Sequence, residues 1–186
     1  MAKRIVHTRR KILAAGLAAA AGVVARPVFA APRVIRTRQV ALRNVHTGDA
    51  LNAIYWADDY YIPQSMRQIA YVLRDFHSGD VHPIDRRLLD LLARLQQMLN
   101  TNQPFLVTSG YRSPRTNALL AAVSEGVAAH SLHMQGMAVD ASLPGTSLHQ
   151  LRMAATTLGG GGVGYYAASG FVHLDVGPVR HWYGDA

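Results

Sequence analysis

Residues 131–140 of this 186-residue chain read SLHMQGMAVD, which places an imidazole at His133 and a carboxylate at Asp140. Side chains that share one turn of a helix are three or four residues apart, whereas these two are seven apart. We therefore predict that His133 lies in a loop or turn and that Asp140 lies on the strand that follows. Gly136 lies between them, and glycine permits the tight backbone path that joins a turn to a strand.

A second imidazole lies in residues 171–175, FVHLD, which form an apolar, strand-like stretch. Alternate residues of a strand share one face, so His173 and Asp175 point to the same side. Two imidazoles and one carboxylate are a common ligand set for catalytic zinc, which needs three protein ligands and an open position. Taken singly, His133, Asp140 and His173 fit ordinary loop or core positions. Together they indicate the zinc site of a hydrolase, because unpaired buried polar groups are costly.

The rest of the chain predicts strands and helices around this site. Apolar residues recur at strand or helix spacing, and Pro, Gly and Ser mark the element ends. The predicted strands span residues 39–45, 51–56, 105–109, 137–142, 163–166 and 170–176. The predicted helices begin at Pro63, Pro83, Pro114 and Leu148, and residues 159–162 are predicted to form a flexible break. The mixture predicts an α+β fold, in which a small antiparallel sheet carries the metal site and helices pack against one side.

The N-terminal segment has the pattern of an export signal. Residues 8–13, TRRKIL, contain a twin-arginine pattern, an apolar run follows at residues 12–25, and residues 28–30, VFA, fit a cleavage site. The apolar run is shorter than the roughly 20 residues needed to cross a bilayer. We therefore predict a twin-arginine signal peptide at residues 1–30 and a single domain at residues 31–186. We expect the protein in the periplasm or cell envelope, with membrane contact only during export.

Charge and cysteine content exclude several classes of function. The formal net charge is +8, but residues 1–30 hold six of the positive charges and no acid, so residues 31–186 carry +2. The high isoelectric point therefore does not indicate nucleic-acid binding. The chain has no cysteine, which excludes disulfides, thiolate metal ligands and cysteine nucleophiles. Neither a nucleophilic serine motif of the Gly-x-Ser-x-Gly type nor a phosphate-binding loop is present.

Two motifs resemble those of a known group of enzymes. The pattern S-x-H-x-x-G-x-A-x-D at residues 131–140 looks like the first metal-binding motif of the LAS-type zinc peptidases, which include D-Ala-D-Ala carboxypeptidases and hedgehog-like domains. Residues 109–113, SGYRS, resemble their upstream arginine motif. The wider pattern, over nearly all of residues 38–182, is similar to the MepK-like murein endopeptidases. That similarity is carried by residues 46–48, 81–85, 109–117, 130–140, 161–166 and 171–180.

This resemblance implies a zinc peptidase with His133, Asp140 and His173 as ligands. Arg112 would hold a substrate carboxylate or the transition-state oxygen, for which a planar guanidinium is suited. The implied substrate is peptidoglycan stem peptides, cut at amide bonds in their cross-links. Two alternatives remain open, namely a D,D- or L,D-carboxypeptidase that trims stem peptides and a non-catalytic, zinc-stabilised module that binds peptidoglycan.

The sequence departs from this group at the general base. Related enzymes place a glutamate three residues before the last ligand or a histidine two residues before it, and here these positions hold Gly170 and Phe171. Asp175, His130 and His181 are the remaining candidates for proton transfer. Asp175 ranks first because it shares a strand face with His173, although a carboxylate in this place also commonly orients a ligand histidine.

Overall fold

The computed structural model describes residues 36–124 and 126–184, and the predicted signal peptide at residues 1–30 lies outside this part. The described residues form eight strands, four α-helices and a short 3₁₀ turn at Leu132–Gln135. The strands are β1 (Thr37–Asn44), β2 (Ala50–Ala57), β3 (Tyr60–Tyr61), β4 (Phe105–Ser109), β5 (Ala138–Ser142), β6 (Gly162–Tyr166), β7 (Phe171–Asp175) and β8 (Arg180–Tyr183). The helices are α1 (Pro63–Val72), α2 (Arg86–Met98), α3 (Pro114–Val123) and α4 (Leu148–Leu158).

All eight strands belong to one sheet in the order β3-β2-β1-β4-β5-β7-β6-β8. The predicted α+β class is confirmed, and the strand pairs that hold the metal site are antiparallel, as expected. The sheet is larger than predicted and mixed, because β1 pairs with β4 and β6 pairs with β8 in parallel. The short edge strands β3 and β8 were not predicted. Each has at most four residues and no apolar alternation that distinguishes it from a loop.

One face of the sheet forms the hydrophobic core. Helices α1, α2 and α4 pack against the strands on this side. Helix α2 begins after Asp85, whose side chain accepts a hydrogen bond from the Arg87 backbone, and its leucines recur at helical spacing. Leu88, Leu92 and Leu95 are fully buried, and each such side chain contributes roughly 1.5–3 kcal/mol to stability. The core therefore holds the central strands in a fixed register.

That register places two of the predicted ligands opposite each other on the other face. Asp140 on β5 pairs directly with His173 on β7. Their strand neighbours Val139 and Leu174 are fully buried in the core, so Asp140 and His173 point away from it. Side chains that face each other across two antiparallel strands lie about 5 Å apart at Cβ, close enough to share one ion.

The third ligand reaches the same place from the 3₁₀ turn. The hydroxyl of Ser131 caps this turn by accepting a hydrogen bond from the His133 backbone, and Gly136 ends it with φ 64°. A Cβ atom at Gly136 would collide with the carbonyl oxygen of Pro83. The predicted turn at His133 and the need for glycine after it are thus confirmed. None of the described helices has the length and apolar character needed to span a bilayer.

Candidate metal centre

Three ligand atoms converge at the sheet surface. Nε2 of His133 lies 3.2 Å from Nδ1 of His173 and 3.3 Å from Oδ1 of Asp140. Nδ1 of His173 lies 2.8 Å from the same Asp140 oxygen. Around a tetrahedral zinc ion with bonds of about 2.0–2.1 Å, neighbouring ligand atoms are about 3.3 Å apart. These residues, which are the three predicted ligands, could therefore hold a metal ion.

The hydrogen bonds behind the two imidazoles fix which nitrogen faces the centre. Nδ1 of His133 lies 2.7 Å from the Gly110 carbonyl oxygen, and Nε2 of His173 lies 3.0 Å from Oδ2 of Asp175. Both partners are acceptors, so these nitrogens carry hydrogen and the opposite nitrogens present lone pairs. Two lone pairs and a carboxylate oxygen then meet within hydrogen-bond distance, an arrangement that a cation stabilises.

The pKa values of the three residues are shifted by their burial and by their contacts with one another. Burial by itself would raise the pKa of Asp140, but His133 and His173 hold it well below the usual range. Burial would lower the pKa of His173, whereas its hydrogen bonds to Asp140 and Asp175 raise it to about 9. Burial lowers the pKa of His133, with the nearby charge of Arg112 acting in the same direction. Asp140 is thus ionised and His133 neutral, as metal ligands must be, whereas His173 holds a second proton and would give up the one on Nδ1 when a metal binds.

The structure places Arg112 beside the ligand Asp140. Its Nη2 donates to Oδ2 of Asp140 at 2.6 Å, and its Nε donates to the hydroxyl of Ser109 at 2.8 Å. This leaves Oδ1 of Asp140 for the metal. Arg112 therefore orients Asp140. Its remaining nitrogen, Nη1, has no hydrogen-bond acceptor among residues 36–124 and 126–184.

Sequence reasoning missed the residue that anchors the turn carrying Arg112. The carboxylate of Asp75, only 1% exposed, accepts from the Ser113 backbone at 2.9 Å. The neighbouring Tyr111 backbone donates to the Leu73 carbonyl at 2.7 Å. An isolated aspartate after a helix gives no sign of a partner 38 residues away. Its burial and its partner are seen only in the structure, so no local sequence signal could have indicated this role.

Asp175 lies behind His173, where it is fully buried. Its Oδ1 accepts from the backbones of Gly162 at 2.9 Å and Gly177 at 2.8 Å. Its Oδ2 accepts from His173 at 3.0 Å and from Arg180 at 2.7 Å. Residues 159–162, predicted as a flexible break, end α4 and begin β6, and a Cβ at Gly162 would collide with the Asp175 carboxylate. A Cβ at Gly161 would collide with the backbone carbonyl of Asp175, so the predicted break is a segment whose backbone packs closely against Asp175.

The ligand group lies in a cavity of about 330 Å³. His130, from the loop before the 3₁₀ turn, lines this cavity, as do Arg112 and Arg180. The side chains of Tyr166, Phe171 and Trp182 add an aromatic wall. A second cavity of about 250 Å³ adjoins the first and shares Arg112, Asp140 and Phe171 with it. The metal centre is therefore open to solvent, and the cavity around it extends past Arg112.

His181 lies away from this centre. In the β6–β8 pairing it stands beside Val163, which is buried in the core, whereas Trp182 stands beside Gly164. The Trp182 ring lies 5.2 Å from the His173 ring, centroid to centroid, which places Trp182 on the metal side. Of the three candidates for proton transfer, the structure thus brings His130 to the cavity, places Asp175 beneath it, and turns His181 away.

Two imidazoles and a carboxylate that meet at the floor of an open cavity are typical of metal-dependent hydrolases. Residues 33–182 match the family model described as "Peptidoglycan L,D-endopeptidase MepK". The protein of that name from Escherichia coli strain K12 is 42% identical over 175 residues, which cover 94% of this chain and 96% of the relative. The "Probable peptidoglycan L,D-endopeptidase MepK" of Haemophilus influenzae is 33% identical over 179 residues, 96% of each chain.

The chain belongs to the MepK family of metallopeptidases. This confirms the resemblance inferred from residues 131–140 and 109–113, and it confirms the prediction of a peptidase. Since the match spans residues 33–182, it includes every residue of the site described above.

Proposed function

We propose that this protein is an exported, zinc-dependent endopeptidase that hydrolyses L,D amide bonds in the cross-links of peptidoglycan. The convergence of the three ligand atoms at the floor of an open cavity carries the proposal, since it provides three ligands and leaves a coordination position free. Family membership supports the reaction and the substrate.

The ligand set fits zinc. Two imidazole nitrogens and one carboxylate oxygen match the donors of catalytic zinc sites, and neither a thiolate nor a ring of carboxylates is present in the group. A zinc ion held by His133, Asp140 and His173 would act as a Lewis acid on the scissile carbonyl and on the attacking water. Arg112 fixes the orientation of Asp140, and Asp175 fixes that of His173.

We assign proton transfer to His130 and a positioning role to Asp175. Each Asp175 oxygen already accepts at least two hydrogen bonds, which leaves it poorly placed to take a proton from water. His130 lines the cavity and, within the described part of the chain, is the imidazole there that does not belong to the ligand group. An imidazole both accepts and donates protons near neutral pH, as hydrolysis of an amide requires.

The adjoining cavities favour an endopeptidase over a carboxypeptidase. A carboxypeptidase needs a closed end that receives the last residue of its substrate. Here the second cavity continues from the first past Arg112, Asp140 and Phe171, so a peptide could extend on both sides of the scissile bond. In a cross-link, the two joined stem peptides likewise extend on both sides of the amide bond that is cut.

Hydrolysis of sacculi tests the proposal. The purified protein, loaded with Zn²⁺, is incubated with peptidoglycan that contains both L,D and D,D cross-links, and the products are identified by mass spectrometry. We expect dimers joined by L,D bonds to be lost, a chelator to stop the reaction, Zn²⁺ to restore it, and H133A to be inactive. Release of terminal D-Ala alone would indicate a carboxypeptidase. Metal-dependent binding without any product would indicate the non-catalytic module.

Export by the twin-arginine route is a separate part of the proposal. It is supported by the pattern at residues 8–13 and by a substrate that lies outside the cytoplasm. We expect the periplasmic protein to begin at Ala31 and to be lost from the periplasm when Arg9 and Arg10 are both changed to lysine. A periplasmic protein that still carried Arg9 would contradict cleavage after Ala30.

A further inference from the structure

Two guanidinium groups line the cavity, and they differ in the edge that remains free. A guanidinium binds a carboxylate best through two parallel N–H groups on one edge. In Arg112 the edge formed by Nε and Nη2 is occupied, since these nitrogens donate to Ser109 and Asp140. For a substrate, Arg112 therefore keeps only the edge formed by Nη1 and Nη2, of which Nη2 already donates to Asp140.

Arg180 uses the opposite edge and leaves this one open. Its Nη1 and Nη2 donate to the two oxygens of Asp175 at 3.2 and 2.7 Å, and Nη1 also donates to the Pro178 carbonyl at 3.0 Å. The hydrogen on Nε and the second hydrogen on Nη2 point in parallel. Neither has an acceptor among residues 36–124 and 126–184.

The surroundings of Arg180 hold this open edge in place. Asp175 is fully buried, while the Arg180 side chain is 44% exposed and lines the cavity, so the edge bonded to Asp175 faces the interior. A Cβ at Gly162 would lie 2.5 Å from Nη1, so glycine is needed where the guanidinium lies. The guanidinium also lies 5.0 Å from the centre of the Trp182 ring. A donor pair fixed in this way loses little entropy when it binds a ligand.

We infer that Arg180 binds a free carboxylate of the substrate close to the scissile amide. The inference rests on the proposed function and names the substrate group that the cavity selects. Formal charges support it. Asp140 and Asp175 balance Arg112 and Arg180, so a divalent cation at the centre gives the cavity a net positive charge that attracts an anion.

Arg180 also supports Asp175, and the test must separate the two roles. If Arg180 acted only through Asp175 and His173, its replacement would lower metal affinity and slow all substrates alike. A direct contact with a carboxylate predicts a selective effect, seen only with substrates that carry this group. Comparing matched substrates with a free or an amidated carboxylate makes this distinction.

The experiment uses two cross-linked muropeptide dimers that differ only in whether the carboxylates beside the cross-link are free or amidated. With wild type, amidation should raise KM about 10- to 100-fold, the effect of losing a charge-assisted hydrogen-bonded pair. R180K keeps the charge but lacks the two-donor edge, so it should lose most of this preference. R94K, on the exposed side of α2, is the matched control and should retain it. Zinc content is measured for each protein.

Each outcome has a defined meaning. If wild type hydrolyses both dimers with equal KM, or if R180K keeps the preference, the role of Arg180 is overturned while the proposed function stands. If wild type hydrolyses neither dimer, the proposed function fails. Calorimetric titration with uncross-linked muropeptides, free and amidated, then decides the role of Arg180. A preference that R180K abolishes would support it, and equal binding would overturn it.

Discussion

Each proposed metal ligand is oriented by one partner behind it. The Gly110 carbonyl holds His133, Asp175 holds His173 and Arg112 holds Asp140. Such partners fix the tautomer and direction of a ligand, and their loss commonly weakens metal binding by about 10- to 100-fold. The affinity for metal thus depends on residues that do not touch the ion.

Replacing Asp175 by asparagine tests its positioning role. The amide can turn its NH₂ toward Nε2 of His173, which would move the imidazole hydrogen to Nδ1, where the metal binds. We expect zinc affinity to fall about 10- to 100-fold and most hydrolysis to return at saturating Zn²⁺. Chelator competition and kcat at saturating metal measure both effects. Unchanged zinc affinity with complete loss of hydrolysis would support Asp175 as the general base.

The proton-transfer role of His130 gives a different pattern. H130N removes an exposed imidazole that lines the cavity, so folding and zinc affinity should not change. The value of kcat should fall about 10²- to 10⁴-fold, the usual contribution of general acid–base catalysis. H181N is the matched control, because His181 is exposed and lies on the other face of the edge strand. Equal activities of wild type and H130N would remove His130 from the mechanism.

Among the structural elements, the turn between β4 and α3 links the centre to the rest of the fold. The Arg112 backbone donates to the His133 carbonyl at 3.2 Å, and the next residue, Ser113, donates to Asp75. Asp75 also accepts from the backbones of His77 and Ser78. Burial would raise the pKa of Asp75, but these hydrogen bonds and those of Thr116 hold it well below the usual range.

The depressed pKa of Asp75 predicts how stability depends on pH. A carboxylate that is more acidic in the folded state stabilises it above the unfolded pKa of about 3.9, and this stabilisation declines as pH falls toward the folded pKa. D75N should therefore lower the free energy of unfolding by about 1.5–3 kcal/mol at pH 7. The difference from wild type should shrink at pH 3. Urea unfolding at both pH values measures it, and a difference independent of pH would contradict the ionised role of Asp75.

The strands of the centre and the three residues that meet there could be predicted because their signals are local. Alternating apolar residues mark β5 and β7, and Gly136 marks the turn that precedes them. The partners of Asp175 could not be predicted in this way. They come from the start of β6 and from β8, and β8 is a short edge strand that is defined only by its pairing. The donors Gly177 and Arg180 lie within five residues of Asp175, but they reach its carboxylate only because the chain turns back after β7 and β8 pairs with β6.

For the whole molecule, the metal centre connects segments that are distant in sequence. His133 comes from the turn before β5, Asp140 from β5 itself, and His173 from β7 after an intervening helix and strand. An unfolded chain does not bring these ligands together, so a metal that binds the folded state stabilises the whole fold by mass action.

Thermal unfolding with and without zinc tests this connection. At a free Zn²⁺ concentration of about 1,000 times Kd the folded state gains about 4 kcal/mol, and 1 kcal/mol raises Tm by about 2–4 °C in a protein of this size. We expect calorimetry to show a Tm about 8–16 °C higher with Zn²⁺ than with chelator. H133A should lose most of this increase, because it removes a ligand, whereas H181A should keep it, because His181 faces away from the site. An equal increase in H133A would show that zinc stabilises the protein elsewhere, and the assignment of His133, Asp140 and His173 as the zinc ligands would then fail.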